Sequence, residues 1–187
     1  MKPAQPRNLI NQKDFIMKLV YPNKKYIDQY REAYREFKEH NITTWNFHDP
    51  DKVDIVKISY NKRHNINLPE RNIPMTYYWL IDGDEFVGEI NILHYLNDNY
   101  LICGGHIDYG VRYSKWGKGY GTKMLALALK KAKQIGLDKV LITCDADNIA
   151  SAKVVENNGG KLENIRDIGT PEKPELIKRY WIDLLEK

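Results

Sequence analysis

The sequence predicts one α/β domain, and three observations carry that prediction. Helical texture comes first, β-rich runs about a tight turn follow, and a strand–turn–helix–strand unit lies late in the chain. A chain of 187 residues is long enough to bury a sizeable core in a single domain, taken here as 1–187. Residues 1–13 are polar with two prolines and read as a loose tail.

Residues 25–39 place Tyr26, Ile27, Tyr30, Ala33, Tyr34 and Phe37 at helical spacing. A second helix is expected within 49–60, where Val53, Ile55 and Val56 follow Asp51, and a polar loop with two prolines over 61–74. Runs 75–81 and 86–93 flank Asp82-Gly83-Asp84 and read as a β-hairpin. Residues 106–113 alternate as a strand, with Ile107, Tyr109 and Val111 on one face. A helix over 122–135 follows, its stripe formed by Leu125, Ala128, Leu129, Ala132 and Ile135, with Gly136 as its stop. Residues 139–143 read as a buried strand, 149–157 as a helix, and 161–168 and 176–184 as closing strands.

Hydrophobic residues make up 42% and charged residues 29%, which excludes wholesale disorder. A net charge of +4 suits an anionic small ligand and demands no nucleic acid. The basic runs at 130–133 and 62–64 lack aromatic interleaving and read as solvated faces. No apolar block has the length of a signal peptide or membrane helix. Cys103 and Cys144 are too few for a disulfide framework or a zinc site, so a cytoplasmic protein without metal or membrane partner is expected. The triplet Asn41-Ile-Thr43 matches a glycosylation signal that this compartment would leave unused. A homodimer is left open.

The chemistry is concentrated in Val111-Arg-Tyr-Ser-Lys-Trp-Gly-Lys-Gly-Tyr-Gly-Thr122. A strand ends, glycines stand at 117, 119 and 121, and a helix begins. Unpaired N–H groups at a helix start, approached without Cβ hindrance, make an anion cradle whose usual guest is phosphate. A dinucleotide fingerprint fails because Thr122 fills its third glycine slot, and a Walker loop fails because Gly119 follows Lys118. Neither a Gly-x-Ser-x-Gly elbow nor a His-Glu-x-x-His pair occurs.

The segment Trp116-Gly-Lys-Gly119-Tyr-Gly121 resembles the acyl-CoA pyrophosphate loop of the GNAT N-acetyltransferase superfamily, Arg/Gln-x-x-Gly-x-Gly/Ala. At the right distance, the run from Asn148 through Ser151 to Gly160 resembles the Asn-x-x-Ser helix that lies beside pantetheine. The resemblance spans 75–182. It implies a mixed, mostly antiparallel central sheet flanked by helices, with acetyl-CoA as cosubstrate and an amine as acceptor. It assigns cofactor contacts to Val111, Tyr113, Trp116, Gly117, Lys118, Gly119, Tyr120, Gly121, Thr122, Asn148 and Ser151.

Two departures stand out. Trp116 occupies the family's usual Arg or Gln position, leaving Lys115 and Lys118 to supply charge. Val155 occupies the place of the Tyr that protonates the departing thiolate in many members, so Tyr180 or a water would have to serve.

The implied reaction needs a base, since a lysine-like ammonium has a pKa of about 10.4. It also needs a backbone N–H near Val111 to stabilise the carbonyl oxygen as it gains charge. Glu89 and His106, on the strands expected to face the acetyl group, are the candidate bases; Asp108 reads as structural, and His48 and His94 have no context that singles them out. The aromatic runs Tyr77-Tyr78-Trp79 and Tyr180-Trp181 read mainly as core. The expected function is acetyl transfer to a primary amine of a small molecule. Alternatives are transfer to a protein lysine or N-terminus, and an acyl-CoA sensor with little turnover.

Overall fold

The computed structural model describes residues 17–43, 47–69 and 72–185, so the expected tail at 1–13 lies outside the described residues. The elements are β1 (Lys18–Val20), α1 (Ile27–Glu39), α2 (Ile55–Arg63), β2 (Met75–Asp82), β3 (Glu85–Leu93), α3 (Asp98–Ile102), β4 (Ile107–Val111), α4 (Tyr120–Ile135), β5 (Lys139–Asp145), α5 (Ile149–Glu156), β6 (Lys161–Asp167) and β7 (Leu176–Asp183). Short 3-10 turns precede α1 at Lys24–Tyr26 and follow β4 at Tyr113–Lys115.

The expected sheet resolves into two antiparallel sheets, β1-β2-β3-β4 and β5-β7-β6. They meet at one bridge, Gly105 with Ile142. The first sheet carries a core on each face. On one face α4 covers Tyr78, Leu80, Ile90, Ile92 and Ile107, with α5 packed against α4 and β5. On the other, α1 lays Tyr30, Ala33 and Phe37 against Tyr77, Trp79, Ile81 and Phe86. Burying an aromatic side chain contributes on the order of 2 kcal/mol. The second core therefore rests on rings such as Tyr30, 5.1 Å from Trp79 and 5.6 Å from Phe86.

Helix α2 begins at Ile55, later than expected. The Asp54 carboxylate accepts from the Lys57 amide and caps it, while Asp49 closes a separate turn with the Asp51 amide. Helix α4 begins at Tyr120, two residues earlier than expected, because Gly119 is its N-cap. Strand β4 is shorter than its alternation suggested and gives way to the 3-10 turn at Tyr113. β1 and α3, three and five residues long, had no expected counterpart.

Candidate active site

The glycine-rich turn is held from below. Arg112 is buried and donates through Nε (3.0 Å) and Nη2 to Glu36 Oε1 on α1, while Glu36 also accepts from the Ser114 amide and hydroxyl, each at 3.0 Å. Burial alone would raise the Glu36 carboxyl; the Arg112 and Ser114 hydrogen bonds outweigh it and hold it below the usual range. Tyr120 Oη donates to Asp82 at 2.8 Å, tying the start of α4 to the hairpin turn.

On that support the cradle stands open. Gly117 and Gly119 adopt φ of +72° and +76°, and a Cβ at either would meet nothing within 4 Å. Their role is conformational, since left-handed backbone costs other residues energy. Gly121 serves packing instead: a Cβ there would lie 3.0 Å from Val154 Cγ2 on α5. Helices α2, α3 and α5 are capped by the side chains of Asp54, Asn97 and Asn148, whereas Gly119 offers α4 no side-chain cap. The first N–H groups of α4 are thus left for a ligand.

Beside the cradle runs a cleft. The Arg112 amide donates to the Val87 carbonyl. Antiparallel alternation along β3–β4 then turns the main-chain groups of Val111 and Tyr109 away from β3, toward β5, with which β4 forms no ladder. The two strands are pinned where they part: the His106 amide donates to the Leu141 carbonyl (2.7 Å) and the Leu141 amide donates to His106 Nδ1 (2.9 Å). Trp116, 49% exposed, donates its Nε1 to the Val111 carbonyl at 2.6 Å and stacks at an angle on Tyr113.

The expected cofactor residues therefore gather in one region. Val111 ends β4 beside β5; Tyr113 stacks on His40 at the end of α1 and Trp116 lies beside Tyr113 and Phe37; residues 117–121 lead into α4, and the Thr122 carbonyl is taken by Asn158. Asn148 caps α5 by accepting from the Ser151 amide at 3.0 Å, and the Ser151 hydroxyl lies 2.9 Å from Tyr109 Oη. Of the two lysines expected to add charge, Lys115 is paired with Glu85 at 2.6 Å, while Lys118 donates to the Ser114 carbonyl at 3.0 Å. Val155 is fully buried, and a Cβ at Gly160 would sit 2.4 Å from its Cγ1, so this position packs the core. Tyr180 Oη donates to Glu156 at 2.9 Å.

The two candidate bases occupy different settings. Glu89 lies on the α1-facing side of β3, opposite Trp79, whose Nε1 donates to Oε2 at 2.7 Å. Its Oε1 is buried with no hydrogen-bond partner among the described residues. Burial, opposed by the Trp79 bond and reinforced by Asp108, pushes its pKa up to about 8. In the neighbouring row stand Tyr77, Asn91 and Asp108, and Tyr77 Oη meets His48 Nε2 and Lys62 Nζ, each at 3.3 Å. His106 instead spends Nδ1 on the Leu141 amide, and burial lowers its pKa to about 4. Among the described residues no cluster of three His, Cys, Asp or Glu side chains could hold a metal ion, and no helix is long and apolar enough to cross a membrane.

The family model described as Acetyltransferase (GNAT) domain matches residues 8–161. The chain belongs to the GNAT acetyltransferase family. It is thereby an acetyl-CoA-dependent N-acetyltransferase, as its two motifs led one to expect. No curated protein matches its sequence.

Solved GNAT structures share the fold at low identity. The microcin C7 self-immunity acetyltransferase MccE, in complex with acetyl-CoA and AMP, is 16% identical with a TM-score of 0.68, covering 89% of this chain and 92% of MccE. The Salmonella typhimurium protein yncA, with its cofactor acetyl-CoA, is 15% identical with a TM-score of 0.64, covering 91% and 95%. RimL, the ribosomal L7/L12 α-N-protein acetyltransferase in complex with coenzyme A, is 17% identical with a TM-score of 0.62, covering 89% and 93%.

Proposed function

We propose that this GNAT enzyme transfers an acetyl group directly from acetyl-CoA to a primary amine of a small molecule, in a ternary complex. The observation that carries the reading is the uncapped start of α4, opening beside the cleft toward which the main-chain groups of Val111 and Tyr109 turn. Amides of residues 117–121 would take the diphosphate, and Lys118 would add charge. The edge of β4 at Tyr109 and Val111, facing Asn148 and Ser151 on α5, would hold the pantetheine arm. Bound acetyl-CoA supplies the activated acetyl group; an amide of β4 stabilises the charge that grows on its carbonyl oxygen.

Glu89 is the base in this reading. It is closed from solvent and its Oε1 has no partner among the described residues, so in this reading a water chain carries the ammonium proton to it. His106 is assigned to holding the strands together, since taking a proton at Nδ1 would break its bond to Leu141. Tyr77, Asp108, His48 and Lys62 lie on the side where α1 and α2 pack, so an acceptor amine that approaches Glu89 from that side would meet their polar groups. Cys103 and Cys144, both unpaired, accord with a cytoplasmic setting.

A second reading, transfer to a protein N-terminus, is favoured by the structural likeness to RimL. Release of CoA thiol from acetyl-CoA, measured across small amines and N-terminal peptides, separates the two. Binding of CoA without thiol release from any acceptor would instead favour a sensor. With the true acceptor, kcat/KM should rise with pH to a limb near pH 8, the pKa of Glu89. Glu89→Gln should remove that limb and lower kcat about a hundredfold. An unchanged profile would take the base assignment away from Glu89.

A further inference from the structure

A thiolate leaving group that departs into a cleft needs a proton, because an alkyl thiol has a pKa of about 8.5 in water and burial raises it. Helix α5 offers no acid at Val155, which faces the core, and the Tyr180 proton is committed to the Glu156 carboxylate. Tyr109 projects from β4 toward α5, its ring 4.0 Å from the position of a Cβ on Gly121. Its Oη lies 2.9 Å from Ser151 Oγ and 3.3 Å from the Ser151 carbonyl.

We propose that Tyr109 is the general acid of this enzyme, with Ser151 as its positioning and relay partner. This rests on the acetyl-transfer reading above. The amine nitrogen forms the C–N bond to the thioester carbonyl carbon, and the C–S electron pair leaves with sulfur. The Tyr109 hydroxyl proton passes to sulfur, giving CoA thiol. The phenolate regains a proton through half-buried Ser151 from solvent, and the amine proton leaves by way of Glu89. One proton is released to water per turnover.

The environment keeps that proton in place until it is needed. Burial, with smaller contributions from Cys144 on β5 and from Asp108 beside it, outweighs the Ser151 hydrogen bond and pushes the Tyr109 phenol up to about 12. Asn148 fixes Ser151 by capping α5, so the hydroxyl pair is set by the fold before any ligand arrives.

Tyr109→Phe keeps the ring and its packing. Against wild type, kcat should fall at least about a hundredfold while the Kd for CoA stays within threefold. A second measurement reads the hydrogen bond itself: titration of the bound CoA thiol by its ultraviolet thiolate absorbance, with desulfo-CoA as the blank. The hydroxyl favours the thiolate, so Tyr109→Phe should raise the bound thiol pKa by about one unit. Ser151→Ala should raise it by less, and Tyr180→Phe not at all. Wild-type kcat and wild-type thiol titration in Tyr109→Phe would overturn the assignment. Should that variant misfold, an unmoved titration in Ser151→Ala would do the same. Failure of wild type to bind CoA or release thiol would instead overturn the acetyl-transfer reading.

Discussion

At Gly119 the backbone φ of +76° and the open space above it come together at the start of α4. Asp tolerates this conformation better than most residues, so Gly119→Asp should fold and yet set a carboxylate against the bound diphosphate. Calorimetry should show CoA affinity reduced at least about a hundredfold, some 2.7 kcal/mol. Normal CoA binding by that variant would mean the cradle lies elsewhere. This glycine was legible in the sequence because its reason is local: strand, turn and helix succeed one another within a dozen residues. Tyr109 was legible only as a strand residue sharing one face with Ile107 and Val111. Its partner Ser151 lies 42 positions away, and no local pattern in either segment announces the pair. The burial that lifts Glu89 was equally invisible, since Val87-Gly-Glu-Ile-Asn reads as well for a solvent-facing carboxylate.

Elements are placed by contacts that periodicity cannot report. The amphipathic stripes of α1 and α4 and the hairpin around Gly83 were readable because each repeats over several turns or residues. Helix α2 starts later than 49 because Asp49 closes a separate turn with the Asp51 amide, and the carboxylate that caps the helix is that of Asp54. Strands β1 and β4 are too short for alternation to bound them. The tie between α1 and the glycine-rich turn joins Glu36 to Arg112 and Ser114 across more than 70 positions. Glu36→Ala should take the hydrogen-bonded carboxylate from buried Arg112, leaving it the more distant Glu32 and Glu85 at 3.9 Å each, and strip two hydrogen bonds from Ser114. Urea unfolding should show a loss of about 2 kcal/mol. CoA affinity should weaken too, as the turn loses its anchor. Lys115→Ala, by contrast, removes a half-exposed pair with Glu85 and should cost under about 1 kcal/mol.

For the whole molecule, two buried groups set opposite slopes of stability with pH. His106 is held neutral with a folded pKa near 4, below its unfolded value, so its contribution is present above about pH 6.5 and is lost as pH falls toward 4. Glu89 has a folded pKa near 8, above its unfolded value, so its contribution is present at low pH and fades as pH rises from about 4.5 to 8. Urea midpoints measured across pH should therefore peak on the acid side of neutrality. Glu89→Gln should flatten the alkaline slope, and His106→Gln the acid slope. A midpoint that climbs steadily to pH 8 in wild type would contradict the Glu89 assignment, and a Glu89→Gln midpoint that stays flat between about pH 4 and 6.5 would contradict that of His106.

The join at Gly105 carries a consequence for how coenzyme A fits. A Cβ there would stand 2.4 Å from the Leu141 carbonyl oxygen, so the two main chains touch with no room for even a methyl group. That contact is where the two sheets join, and glycine lets the main chains come that close. Gly105→Ala would act as a shim, prising the strands apart at that join and, if β4 holds pantetheine as proposed, loosening that hold from a position that never meets it.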